Sequence, residues 1–281
     1  MRYLYRLLTL AGSIRAQRVL GAATLAGLVA TVAIGLLVVP PDATQGDVQR
    51  LMYVHVPAAW VTFFAFGIVF LASCAYLKTG RIRWDRIAAA SAEIGVQFCA
   101  LTILLGSLWG RPVWGTWWTW DPRLTTTAVL LLIYAGYLSL RRVADSPARR
   151  AKWSAVVGVV GFIDVPIVHM SVVWWRSLHQ QATVLRLGAP TIAGSMLATL
   201  LLGFVTFSLA YGYLMAVRLR AGRLEDRAGV PVSQPSVPRA RAPRPVTAGP
   251  QAAGPPAGGL PAGLPAGPGP APATSASESH A

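Results

Sequence analysis

The sequence predicts an all-α integral membrane protein: a six-transmembrane-helix bundle with a tryptophan-rich segment on its outer face and a disordered C-terminal tail. Three observations carry that prediction. Hydrophobic residues make up 54% of the 281 and charged residues only 12%, far more apolar than a soluble chain of this length requires. Several uncharged runs reach the ~20 residues a helical span needs. The basic residues fall in short segments between those runs, so the net charge of +15 reads as membrane topology and excludes a nucleic-acid surface.

The spans follow in order. Met1 to Arg18 is basic and mildly amphipathic, and Val19 to Val39 is the first span, ended by Pro40 and Pro41. It is too long for a signal-peptide core and no small-x-small site follows, so it is expected to stay uncleaved. Leu51 to Leu77 is the second span, with His55 near its start and Pro57 just after. Ile87 to Ser107 is the third, interrupted only by Glu93, and Leu124 to Leu140 is the fourth. Asp121 before Pro122 fits an N-cap carboxylate followed by proline at the first helical position, where its missing N–H costs nothing. Trp153 to Trp175 is the fifth span, containing Asp164, Pro166 and His169. Pro190 to Val217 is the sixth, again opened by proline.

Orientation follows from the positive-inside rule. Of the 25 Lys and Arg, all but Arg50, Arg111, Arg123, Arg176 and Arg186 lie in the N-terminal segment, the 78–86 and 141–152 turns and the C-terminal segment. Both termini are therefore expected in the cytoplasm. Residues 1–227 are read as one six-span domain. Residues 228–281, rich in Pro, Ala and Gly, lack apolar periodicity and are expected to be a disordered cytoplasmic tail. Cys74 and Cys99 both fall inside apolar runs, and no CxxC or CxxCH motif exists. The chain is thus neither disulfide-built nor itself a c-type cytochrome, and the two thiols read as small core residues.

The stretch from Gly106 to Thr125, GSLWGRPVWGTWWTWDPRLT, holds five of the ten tryptophans: Trp109, Trp114, Trp117, Trp118 and Trp120. Tryptophan at a membrane edge is commonly a belt anchor in the lipid bilayer. Five in so short a span, interleaved with glycines that let backbone and ligand approach, point instead to a surface for a flat aromatic ligand. The predicted outer face adds Trp60, Trp174 and Trp175, and also His55 and His179, whose imidazoles suit axial ligation of a haem iron. Arg111 and Arg123 flank the tryptophans and suit two propionates through guanidinium–carboxylate forks, with Arg50 and Arg176 as further candidates and headgroup contact as the plainer alternative. His169, near Pro166 inside the fifth span, reads as a buried, hydrogen-bonded histidine or else as a ligand or relay. Asp121 reads as a helix cap before it reads as a ligand contact. Glu93 and Asp164 are expected to face the bundle interior in internal hydrogen bonds, because no accompanying basic residue marks a transport path.

WGRPVWGTWWTWDPRLT, preceded by YVHVPAAW and followed by VHMSVVWWRSLHQ, closely resembles the cytochrome c maturation protein C (CcmC) family, haem-handling proteins with a tryptophan-rich "WWD" segment. The similarity covers about Leu51 to Leu219. It implies the same six-helix bundle in the bacterial inner membrane. It also implies that haem b is bound as cargo on the periplasmic face and passed to the haem chaperone CcmE, alongside CcmD and the ABC transporter of CcmA and CcmB, with no enzymatic turnover. The family's two external histidines match His55 and His179, the expected iron ligands, and its WWD signature matches Trp114 through Asp121. One departure is Asp164, in FIDVPIVH, where the family pattern leads one to expect a neutral polar residue. Longer haem-lyase relatives share the segment but have more spans. Two other readings are a haem-conducting permease, for which the spans offer little polar material, and an electron-transfer b-type cytochrome, at which only His169 hints.

Overall fold

The computed structural model describes residues 13–180, 184, 189 and 191–227. The N-terminal residues 1–12, Pro190 and the expected tail at 228–281 lie outside the described residues. Within them the chain is helical, and six helical stretches are long and apolar enough to cross a membrane.

Helix α1 (Ile14–Leu37) starts at Ser13, whose hydroxyl accepts the N–H of Ala16 at 3.1 Å. Its far end is closed from outside. A 3-10 turn at Asp47–Leu51 places the Arg50 guanidinium on the carbonyls of Gly35 and Leu36, held there by Asp47 at 2.8 Å. These are two of the carbonyls a helix end leaves unpaired, and a cation suits that end of the helix dipole. Helix α2 (Met52–Thr79) follows and stops at Gly80, which takes the left-handed conformation with φ +63°.

Helix α3 (Ile82–Trp114) is longer than the sequence suggests, because the expected span ended at Ser107. Pro112 does not stop it: only the last turn follows that proline, so little helix is left to disrupt. Helix α4 (Pro122–Val143) begins as expected, with Asp121 accepting the N–H of Arg123 at 2.9 Å and Pro122 in the first turn.

The fifth span is two helices rather than one, α5 (Pro147–Gly161) and α6 (Asp164–Trp174), separated at Phe162 and Ile163. The break solves the problem posed by Pro166. In a continuous helix the proline would leave a carbonyl unpaired and clash with the preceding turn; after the break it sits in a first turn, where no N–H is required. Asp164 lies in that same first turn. Its Oδ2 is buried without a hydrogen-bond partner among the described residues, so the internal hydrogen bonding expected of it is not seen for that oxygen. Helix α7 (Gly194–Arg227) completes the bundle.

Helices α2 and α3 form the central pair; α5 and α7 pack on α2, α1 packs on α7, and α4 braces α3, α5 and α6. Between helices in a lipid setting, close packing and hydrogen bonds matter more than burial from water. Phe66 stacks on Tyr134 with centroids 3.7 Å apart, and the Ser91 hydroxyl joins the Ala65 carbonyl at 2.8 Å to the Tyr211 hydroxyl at 2.7 Å. Gly203 lets α7 approach the place where Pro57 frees a carbonyl on α2. A Cβ there would lie 2.9 Å from Pro57 Cγ and 3.0 Å from the Tyr53 carbonyl oxygen.

The end of the bundle carrying the basic turns is tied by ion pairs. Arg141 of α4 grips Asp85 of α3 with two bonds, at 2.5 and 2.9 Å. Arg218 of α7 pairs with Glu93 through both carboxylate oxygens. Glu93 therefore does have a basic partner, contrary to the sequence expectation: the partner comes from the last helix, distant in sequence, where spacing within one span cannot reveal it.

Candidate functional site

At the other end of the bundle, parts of α2, α3, α4, α6 and α7 and the segment after α6 surround an open cavity of about 330 Å³, at the small end of the range for ligand sites. The extra turns of α3 supply one whole wall. Gly106, Trp109, Gly110, Val113 and Trp114 all line the cavity, and their i, i+3, i+4, i+7, i+8 spacing is one helix face. The two glycines make room for rings: a Cβ on Gly106 would stand 3.1 Å from His55 Cε1, and one on Gly110 would stand 2.9 Å from Trp114 Cε3.

All three histidines of the described residues, His55, His169 and His179, line this cavity. His55 projects from the first turns of α2 and meets Trp109 edge to face with centroids 5.7 Å apart. Its Nδ1 is buried and makes no hydrogen bond among the described residues. His179 meets Trp114 edge to face at 4.8 Å, and its Nδ1 lies 3.1 Å from Oδ1 of Asp121. His169 is exposed on α6, which corrects its reading as a buried histidine. The break at Phe162 and Ile163 starts a new helix that carries it to the cavity wall.

Asp121 is buried and connects two segments. It accepts the N–H of Arg123 at 2.9 Å as helix cap and the N–H of Leu178 at 2.7 Å from the segment after α6. Burial alone would raise its carboxyl. The Leu178 N–H, the Ser177 hydroxyl, the nearby His179 and the Arg123 N–H outweigh this and hold it below the ordinary carboxylate range. His179 is shifted downward, chiefly by burial and further by Arg123, with Asp121 opposing. A charged Asp121 beside a neutral His179 is the favoured combination.

Arg123 faces the cavity from the first turn of α4. One of its terminal N–H groups donates to the His169 carbonyl at 3.1 Å, while its Nε is buried without a partner among the described residues. That leaves one guanidinium donor unused among the described residues.

The remaining tryptophans and arginines are placed elsewhere. After α3 the chain turns at Gly115, at φ +78°, a left-handed cap that favours glycine. Arg111 donates to the Gly115 carbonyl at 2.6 Å and sits 6.0 Å from the Trp117 ring centroid, away from the cavity lining. Trp117 and Trp120 are 57% and 81% exposed, and Trp118 packs edge to face on Trp120 at 5.8 Å. These rings form the outer surface of the 115–121 connection. Arg50 is committed to the end of α1, Arg176 is exposed, and Arg186 lies outside the described residues. Trp174 and Trp175 are exposed, and Trp60 of α2 donates its indole N–H to Ser208 of α7, outside the cavity lining.

Two cavity residues carried no strong signal in the sequence. Gln45, on the loop after α1, accepts the Trp109 indole N–H at 2.8 Å, and Phe204 arrives from α7. Neither lies in the tryptophan segment or beside a histidine in sequence. Trp109 itself was legible as an outer-face tryptophan, and the helical spacing from Gly106 to Trp114 would have placed it on the same face as Trp114.

Chemically the cavity offers imidazole nitrogens from several elements, flat aromatic walls and an arginine with an unused donor. Such a set fits a planar, metal-bearing ring with acidic side groups.

Comparison with known proteins identifies the family. The family described as Heme exporter protein C matches residues 5–232. Heme exporter protein C of Bradyrhizobium diazoefficiens is 41% identical over 205 residues, covering 72% of this chain and 78% of the relative. Its namesake in Haemophilus influenzae is 37% identical over 198 residues, 70% of this chain and 80% of the relative. A ccmC-like mitochondrial protein of cytochrome c biosynthesis from Marchantia polymorpha is 33% identical over 187 residues, 66% of this chain and 79% of the relative. The match spans the helices that build the cavity, and the chain belongs to the Heme exporter protein C family.

Proposed function

We propose that this chain binds haem as cargo in the cavity at the outer end of the bundle and delivers it for c-type cytochrome biogenesis. The observation that carries the reading is the convergence of His55 and His179, each set against a tryptophan of one α3 face, with Arg123 beside them. His55 and His179 would hold the haem iron, Trp109 and Trp114 would offer aromatic contact to the ring, and Arg123 would pair with an acidic side group. Haem b, which carries no covalent attachment, suits a cargo that must leave, and the absence of CxxCH from the chain supports this. The exposed Trp117 and Trp120 form the face toward the acceptor, which is the haem chaperone CcmE. CcmD and the ABC transporter of CcmA and CcmB are the further partners. The chain's role is holding and release rather than turnover.

The basic end of the bundle supports a cytoplasmic location for both termini in the bacterial inner membrane, with the cavity facing the periplasm. Residues 1–227 act as the haem-handling unit, and 228–281 as an appended tail.

The test is the optical spectrum of the full chain purified after co-expression with CcmE, for wild type, His55→Ala and His179→Ala, with covalent haem on CcmE scored in parallel. Each substitution is expected to alter the spectrum and to remove haem from CcmE. Normal spectra with normal loading of CcmE in both variants would overturn the ligand assignment.

A further inference from the structure

The two proposed ligand histidines are held differently. Among the described residues His55 makes no hydrogen bond through Nδ1; its ring has the Thr102 backbone as a hydrogen-bonding neighbour, no carboxylate, and Trp109 packed on it. His179 has a carboxylate partner, with Nδ1 at 3.1 Å from Asp121 Oδ1 and the Asp121 side chain only 2% exposed. An ionised carboxylate can only accept, so the shared proton belongs to Nδ1. That leaves Nε2 as the nitrogen with a free lone pair.

A helix cap does not explain this arrangement. Capping needs one side-chain oxygen on one N–H of the first turn, and Asp121 provides that to Arg123. Its remaining contacts all go to the segment carrying the histidine: Oδ2 accepts the Leu178 N–H at 2.7 Å, and Oδ1 faces His179. One buried side chain fixes both the backbone position of that segment and the orientation of its imidazole.

Resting on the haem reading above, we propose that Asp121 is a positioning residue that sets the tautomer, orientation and donor strength of His179 toward the haem iron. A carboxylate hydrogen-bonded to the outer nitrogen of a metal-bound histidine raises its basicity. A stronger donor stabilises ferric over ferrous iron and lowers the haem potential. Of the two histidines, His179 would be the one whose donor nitrogen a carboxylate strengthens, whereas His55 has only a backbone neighbour.

The test uses the full chain loaded with haem, as wild type, Asp121→Asn, Asp121→Ser, His179→Ala and Asp121→Asn with His179→Ala, measuring midpoint potential and optical spectrum. Asn and Ser cap helices about as well as Asp, so both Asp121 variants keep the start of α4, while neither offers a charged partner to His179. The expected result is a shift of the midpoint to more positive potential in both, together with no further change when Asp121→Asn is added to His179→Ala. An unchanged potential in both Asp121 variants, with His179→Ala still altering the spectrum, would show that Asp121 is a cap alone. Failure of the wild type to bind haem, or an unaltered spectrum in His179→Ala, would overturn the haem-ligand reading first and this proposal with it.

Discussion

The Trp109 indole stands edge to face against His55, with ring centroids 5.7 Å apart, and donates its N–H to Gln45 at 2.8 Å. The loop after α1 thereby fixes a ring on α3 that in turn packs on a histidine of α2. Trp109→Phe keeps the aromatic contact and loses the tether, whereas Trp109→Ala loses both. Haem retention, read as the haem-to-protein ratio after purification, is expected to fall modestly for Phe and strongly for Ala, since an aromatic pair contributes about 0.5–1.5 kcal/mol beyond its burial.

Gly110 is where space, not conformation, is demanded. An added methyl would stand 2.9 Å from Cε3 of Trp114, the ring that packs on His179. Gly110→Ala is expected to displace Trp114 and change the haem spectrum, while the better helix propensity of alanine, up to about 1 kcal/mol, offsets the cost of that shift. A variant with normal thermal stability and an altered spectrum is the outcome that separates the site from the scaffold.

Arg123 lines the cavity, and its buried Nε has no hydrogen-bond partner among the described residues. If that donor serves a propionate, Arg123→Gln should weaken haem binding by roughly 10- to 100-fold, the equivalent of a charge-assisted hydrogen bond of about 1.5–3 kcal/mol. Haem dimethyl ester, which lacks the carboxylates, should bind wild type and variant alike. Equal preference of the wild type for haem and its ester would remove Arg123 from the site.

The Asp85–Arg141 pair lies at the opposite end, with side chains 4% and 14% exposed. Removing one partner strands a buried charge, so Asp85→Ala is expected to cost about 3–5 kcal/mol, read as a lowered melting temperature in detergent. Replacing both, as Asp85→Leu with Arg141→Met, should restore most of that loss.

Gly203 gives the corresponding test of helix approach. A methyl there meets Pro57 at 2.9 Å and the Tyr53 carbonyl at 3.0 Å. Gly203→Ala should destabilise the bundle by about 1–3 kcal/mol through overpacking, lowering the melting temperature without abolishing helicity.

The sequence by itself determined the membrane class, the six spans, the start of α4 at Asp121 and Pro122, and the tryptophan-rich stretch leading into α4. Hydropathy over ~20 residues and the chemistry of a cap are local quantities, so they can be read without partners. Tertiary structure alone decided how α3 extends to Trp114, where the fifth span breaks, which rings of the tryptophan segment face inward, and that Glu93 meets Arg218. It also decided that Asp121 serves His179 as well as its own helix. Those outcomes depend on contacts between residues far apart in the chain, such as His179 and Asp121 or Gln45 and Trp109. No periodicity within one segment encodes such contacts, because they exist only once the helices have packed.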